Sequence, residues 1–176
     1  HLLKTPELAV LIDCGLFQGL KELRLRNWAK FPVDPTEIDI MLLTHAHLDH
    51  CGYIPLLVKN GFKGKILMSP PTLELAKIIL LDSAKIQEED AEKANRGKYS
   101  KHEPALPLYT VEDAQKAFDS FVSVDHHVVT QLSPNIAFQF IKNGHILGSC
   151  FIDMHCFGKK IVFSGDIGRF TSDYLA

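Results

Sequence analysis

Residues 44–50 read Thr-His-Ala-His-Leu-Asp-His and crowd His45, His47, Asp49 and His50 into one short stretch. Neutral imidazole and carboxylate are good ligands for a borderline cation such as zinc. The cluster follows an apolar strand-like run, Ile38–Leu43, and Gly52 comes soon after, which places it on a loop at a strand end. Such a loop can turn His45 and His47 toward one centre while Asp49 and His50 address another. One ion takes three or four ligands, so this density suggests two ions. The alternative is a surface cluster of polar loop residues, but crowding so many bases together gains nothing without a cation.

Two later segments share that layout. Asn143-Gly-His-Ile-Leu-Gly148 follows the run Ile136–Ile141 and offers His145, and Ser164-Gly-Asp-Ile-Gly-Arg169 follows Lys160–Phe163 and offers Asp166. In each, a ligand type stands just past a strand beside glycines that let backbone approach closely. Taken alone, either residue could be an ordinary loop side chain; beside the first cluster, both read as ligands. Asp13 also ends an apolar run, Ala9–Ile12, and precedes a glycine. It reads either as a turn former or as an outer carboxylate that orients a ligand histidine.

The elements that must position these residues are β-runs mixed with helices. Strands are expected at His1–Lys4, Ala9–Ile12, Ile38–Leu43, Lys65–Met68, Phe121–Val124, His127–Leu132, Ile136–Ile141, Cys150–Cys156 and Lys160–Phe163. Helices are expected over Leu20–Lys30, Tyr53–Lys59, Thr72 to about Lys93, and Val111–Phe118 with Thr110 as N-cap. Strands in series mixed with helices indicate a layered α/β sandwich.

Composition narrows the class. The 176 residues are 46% hydrophobic and 23% charged, which excludes a disordered chain. No apolar run approaches the ~20 residues of a membrane span, so no membrane partner is expected. With 19 basic and 21 acidic side chains the net charge is −2, so nucleic acid would not be held by bulk charge alone. The four cysteines, Cys14, Cys51, Cys150 and Cys156, form no CxxC pair and read as reduced thiols of a cytoplasmic protein. His102, His126, His127 and His155 read as structural, Glu88–Asp90 as a solvated helix face, and Lys93, Arg96, Lys98 and Lys101 as a solvated loop. The chain opens inside a strand and stops soon after Arg169, and so reads as an internal part of a longer protein.

The pattern His45-x-His47-x-Asp49-His50, then His145, then Asp166, resembles the ligand motifs of the metallo-β-lactamase fold. The flanking text is similar to its β-CASP branch of RNA-processing nucleases, related to the nuclease subunit of the cleavage and polyadenylation specificity factor. The similar stretches are Leu11-Ile-Asp-Cys-Gly-Leu-Phe-Gln-Gly19, Thr44 through Pro55, Leu80-Leu-Asp-Ser83 and Phe163-Ser-Gly-Asp-Ile-Gly-Arg169. The long interval between His50 and His145 is less like glyoxalase II or the classical lactamases.

The resemblance implies an αββα sandwich, present here as an incomplete fragment. Residues 1–176 would be the N-terminal part of the metallo-β-lactamase domain, with its first strand clipped and with the β-CASP domain and C-terminal return beyond the chain. It implies two Zn2+ ions per complete site. His45, His47 and His145 would hold one ion, Asp49 and His50 the other, Asp166 would bridge both, and Asp13 would take the outer role. Asp13, Asp49 and Asp166 would be the catalytic carboxylates. A further histidine ligand and the general acid would lie past Ala176, so the fragment alone is expected to be weakly active or inactive, with the second metal site the looser one. The implied reaction is hydrolysis of a phosphodiester in RNA, single-stranded by expectation, by a hydroxide shared between the ions; a homodimer is an open assembly. The competing readings are a thioester or lactam hydrolase on the same fold and a non-catalytic RNA-processing subunit.

Overall fold

The computed structural model describes residues 1–169. Two β-sheets pack face to face. The first runs in the order β1 (Leu2–Lys4), β2 (Ala9–Ile12), β3 (Ile40–Leu42), β4 (Lys65–Met68) and β5 (Phe121–Ser123). β1 pairs antiparallel with β2, and the other pairings are parallel, in a register that sets Ile12 beside Leu42 and Leu42 beside Leu67. Parallel pairing brings the C-terminal ends of β2 and β3 to one edge. The second sheet is an antiparallel meander of β6 (Thr130–Ser133), β7 (Ile136–Lys142), β8 (Cys150–Cys156) and β9 (Lys159–Phe163).

Strand alternation divides the core. Val10, Ile12, Leu42 and Leu67 face the second sheet and pack on Phe138, Phe140, Ile152 and Met154. Leu11, Met41, Ile66 and Met68 face the other way, toward Ile54 and Leu57 of α3 (Ile54–Lys59) and Ala76 and Leu80 of α4 (Pro70–Gly97). Both faces of β2 to β4 are therefore covered, which is why these strands read as continuous apolar runs. Among the described residues no helix contributes to the cluster between the sheets. They supply the helix, sheet and sheet layers of the expected α/β sandwich.

The remaining helices are α1 (Lys21–Leu25), α2 (Leu48–Cys51) and α5 (Val111–Ala117). Thr110 caps α5 in a reciprocal box with Asp113. Three expectations shift. The segment 20–30 holds only the short α1 and a 3-10 turn at Arg26–Trp28; no residue of α1 is buried, so no packing supports a longer helix. α4 begins at Pro70 rather than Thr72, because Ser69 is its N-cap and the two prolines fit its first turn, and it runs on to Gly97, so Lys93 and Arg96 lie on the helix rather than in a loop. β6 begins at Thr130 rather than His127, since His127 takes φ +61 and breaks the extended run.

Candidate metal centre

Four chain segments meet where β2, β3, β7 and β9 end. Asp13 follows β2 with φ +56, and its N–H donates to the Leu42 carbonyl at 3.0 Å. The next residues run under α2: Cys14 N–H donates to the His50 carbonyl at 2.7 Å, and Leu16 N–H to the Leu48 carbonyl at 2.9 Å. The approach is close enough that a Cβ on Gly15 would lie 1.7 Å from the Asp49 carbonyl oxygen. His45 and His47 occupy the loop after β3, as expected. Asp49 and His50 do not share that loop: His47 acts as N-cap, and both residues fall within α2, closed by Cys51 N–H to the His47 carbonyl at 2.9 Å. The helical turn carries Asp49 and His50 on a different element, yet the His50 ring stays 4.1 Å from that of His45, centroid to centroid.

The loop after β7 presents His145. Ser149 Oγ accepts from the backbone N–H of His145 at 3.1 Å and of Ile146 at 3.0 Å, and donates to Asn143 Oδ1 at 2.6 Å. Gly148, at φ +78, offers its carbonyl to Ser69 Oγ at 2.6 Å and Thr72 Oγ1 at 2.9 Å, which fastens this loop to the start of α4. Asn143 Nδ2 donates to the Asp166 carbonyl at 2.8 Å, so the loops carrying His145 and Asp166 are tied by one amide.

All six residues picked from the sequence as ligands come together. His45 Nε2 and His145 Nε2 stand 3.0 and 3.1 Å from His47 Nδ1. Asp166 Oδ2 lies 3.8 Å from His45 Nε2 and 3.4 Å from His145 Nε2. These four form a group whose ligand atoms lie within 4.8 Å of one another. The other oxygen of Asp166, Oδ1, lies 3.3 Å from His50 Nε2, which is 3.9 Å from Asp49 Oδ2. Asp13 turns the chain at φ +56, and its Oδ2 accepts from His50 Nδ1 at 2.8 Å, the contact that the outer-carboxylate reading needs. His102 is an exposed loop residue and His155 an exposed strand residue, and neither joins the cluster.

The donor set fits a cation. Nitrogens bound at ~2.0–2.1 Å to one tetrahedral zinc stand roughly 3.4 Å apart, close to the spacing here. A single N–H on His47 Nδ1 could serve only one of its two nitrogen neighbours, so as hydrogen bonds alone the three rings leave a nitrogen unmatched. Burial, with the nearby His50 charge, pushes His45 down to about 4, so at neutral pH this fully buried ring is uncharged and ready to ligate. His50 moves the other way, raised above its ordinary 6.5 by its hydrogen bond to Asp13. The neighbouring thiols are protonated: burial pushes Cys14 up to about 12 and raises Cys51 and Cys150. The ligand atoms that lie together come from His and Asp side chains, while Cys51 Sγ and Cys150 Sγ are turned to the Ala46 and Thr44 carbonyls.

Sequence reasoning missed Thr44, Asn143 and Ser149. Thr44 stands directly before His45, and Asn143 and Ser149 flank the His145 loop beside glycines. Adjacency to a candidate ligand was the available signal.

Ribonuclease TTHA0252 of Thermus thermophilus is 34% identical over 175 residues, covering 99% of this chain and 36% of that protein. Transcription termination factor FttA of Methanosarcina mazei is 35% identical over 169 residues, covering 94% and 24%. Endoribonuclease YSH1 of Saccharomyces cerevisiae is 27% identical over 179 residues, covering 99% and 22%. The chain thus spans about a third or less of the length of these relatives. Among solved structures, a metallo-beta-lactamase of Cronobacter sakazakii with a HARLDQ motif superposes with a TM-score of 0.53 at 20% identity, over 97% of this chain and 56% of that one, a likeness of fold. The profile of the metallo-beta-lactamase superfamily domain matches residues 2–174, and the chain belongs to that superfamily.

Proposed function

We propose that residues 1–176 form the N-terminal part of the metallo-β-lactamase domain of a β-CASP ribonuclease, a zinc-dependent phosphodiester hydrolase that acts on single-stranded RNA in the cytoplasm. The relatives named ribonuclease and endoribonuclease support the substrate class. The observation that carries the reading is Asp166, whose two oxygens face two different sets of donors.

In this reading His45, His47 and His145 would hold one zinc, Asp49 and His50 would contribute to holding a second, and Asp166, which faces both sets, would serve each. The ions, when bound, would supply Lewis-acid polarisation of the phosphodiester and acidify an attacking water. The protein's own groups do the rest. Asp13 holds a proton on His50 Nδ1 and so leaves Nε2 as the ligand atom. Asp49, with a side chain 55% exposed, stands at the open side of the cluster, where it can accept a proton from water and orient it for in-line attack. Asn143 and Ser149 keep His145 and Asp166 at fixed separation, so little reorganisation accompanies the reaction.

The test is cleavage of a labelled single-stranded RNA by the protein expressed from its complete reading frame, with zinc, after chelation, and as Asp166→Ala. Cleavage that requires zinc and is lost in Asp166→Ala is expected; cleavage undiminished by chelation or by the substitution overturns the reading.

A further inference from the structure

Thr44 is fully buried between Asp13 and His45. Its Oγ1 lies 2.9 Å from Asp13 Oδ2 and 3.0 Å from His45 Nδ1, and its backbone N–H donates to Asp13 Oδ1 at 2.8 Å. A threonine hydroxyl has one hydrogen, and a carboxylate only accepts. The hydrogen therefore belongs to the contact with Asp13, since the reverse arrangement would set an oxygen lone pair of Thr44 against an anionic oxygen at 2.9 Å. The free lone pair of Oγ1 then accepts from His45, which puts the His45 proton on Nδ1 and leaves Nε2 bare. His50 Nδ1 donates to the same oxygen, Asp13 Oδ2, at 2.8 Å, so its Nδ1 also carries a proton.

We propose that Thr44 is a positioning residue that relays the Asp13 carboxylate to His45, so that a single carboxylate sets the ring tautomer of one histidine on each side of Asp166, directly for His50 and through the Thr44 hydroxyl for His45. The tautomer follows from hydrogen bonding alone; only its consequence for metal affinity rests on the zinc reading above. Thr44 has structural contacts too. Its carbonyl accepts from Cys150 N–H at 3.0 Å, and a Cβ on Gly165, next to Asp166, would lie 2.9 Å from its side chain. Valine keeps that shape and removes the hydroxyl, while serine keeps the hydroxyl and removes the methyl.

The experiment has two readouts on one preparation. Long-range 1H–15N correlation spectra of the metal-free protein at neutral pH report which ring nitrogen of each histidine carries the proton. In the wild type, His45 is expected as an Nδ1–H ring with a bare Nε2, and His50 is expected to carry a proton on Nδ1. In Thr44→Val, His45 is expected to lose that preference while His50 keeps it, and zinc affinity measured against a chromophoric chelator is expected to fall roughly 10–100-fold. Thr44→Ser is expected to restore the His45 tautomer and bring affinity back to within about threefold, a recovery that methyl packing alone would not give. A wild-type His45 protonated on Nε2 overturns the proposal without any variant, so it stays decidable if Thr44→Val does not fold. An unchanged His45 tautomer in a folded Thr44→Val also overturns it. Wild-type tautomers as expected, in a protein that takes up no zinc, would support the relay while refuting the zinc reading.

Discussion

Asp166 and His50 meet across the two halves of the site, with Oδ1 of the carboxylate 3.3 Å from Nε2 of the ring. The opposite oxygen points at His145, 3.4 Å away. A residue shared in this way couples the two halves, and its removal is expected to affect both. In Asp166→Ala of the protein expressed from its complete reading frame, zinc stoichiometry measured by elemental analysis should fall from two to one at most. The remaining ion should bind more weakly by at least the roughly 10–100-fold that outer-shell changes cost. Two ions retained at wild-type affinity would show that the carboxylate does not bridge.

Asn143 is the clasp between the two late loops, with its amide nitrogen on the Asp166 carbonyl and its amide oxygen accepting from Ser149 Oγ. Replacing it with alanine removes hydrogen bonds worth ~0.5–1.5 kcal/mol each, so Tm should drop by a few degrees. Zinc affinity should fall roughly tenfold or more, because His145 and Asp166 are no longer held in register. Calorimetric zinc titration beside a melting curve separates the two effects; a lowered Tm with wild-type affinity would refute the clasp.

That these side chains would gather was legible because Asp13, His45, His145 and Asp166 each stand shortly past an apolar strand, and parallel pairing of β2 with β3 brings two of those strand ends to one edge. The strand ends also explain why Asp13 attracted notice. What stayed hidden were the supports. Thr44, Asn143 and Ser149 act through partners that the fold brings close, such as the 2.6 Å contact from Ser149 to Asn143, and no periodicity announces such a contact. Asp49 and His50 read as loop residues because a single turn of helix, Leu48–Cys51, is too short to leave a pattern. The helix expected over 20–30 failed for the opposite reason: its spacing is helical, but α1 buries nothing.

His45 and His50 are adjacent rings that titrate in opposite directions. In the metal-free protein His50 is raised by Asp13, so the pair stabilises the fold fully below pH 6.5, and that contribution is lost as pH rises through the raised value. His45 is lowered to about 4 by burial, so its contribution is complete above 6.5 and is lost as pH falls toward 4. A histidine NMR titration should find His45 still neutral at about pH 5 while His50 is protonated there. Both rings titrating together near 6.5 would contradict the assigned environments.

Gly15 leaves no room for a side chain beneath α2, where an added Cβ would stand 1.7 Å from the Asp49 carbonyl oxygen. Gly15→Ala must push α2 outward, and with it Asp49 and His50. The expected cost belongs to the large-effect tail of substitutions, about 4 kcal/mol or more, read as a Tm lowered by roughly ten degrees. A melting temperature within a degree or two of wild type would mean that the segment and α2 are not in contact.

The central claim is that these six side chains grip two cations with Asp166 between them. Zinc-edge anomalous diffraction from crystals grown with zinc tests it most directly. The account predicts one peak enclosed by His45, His47, His145 and Asp166 and a second beside Asp49, His50 and Asp166. Zinc bound elsewhere with these side chains turned apart, or full zinc in the medium with no peak at this edge of the sandwich, would contradict it.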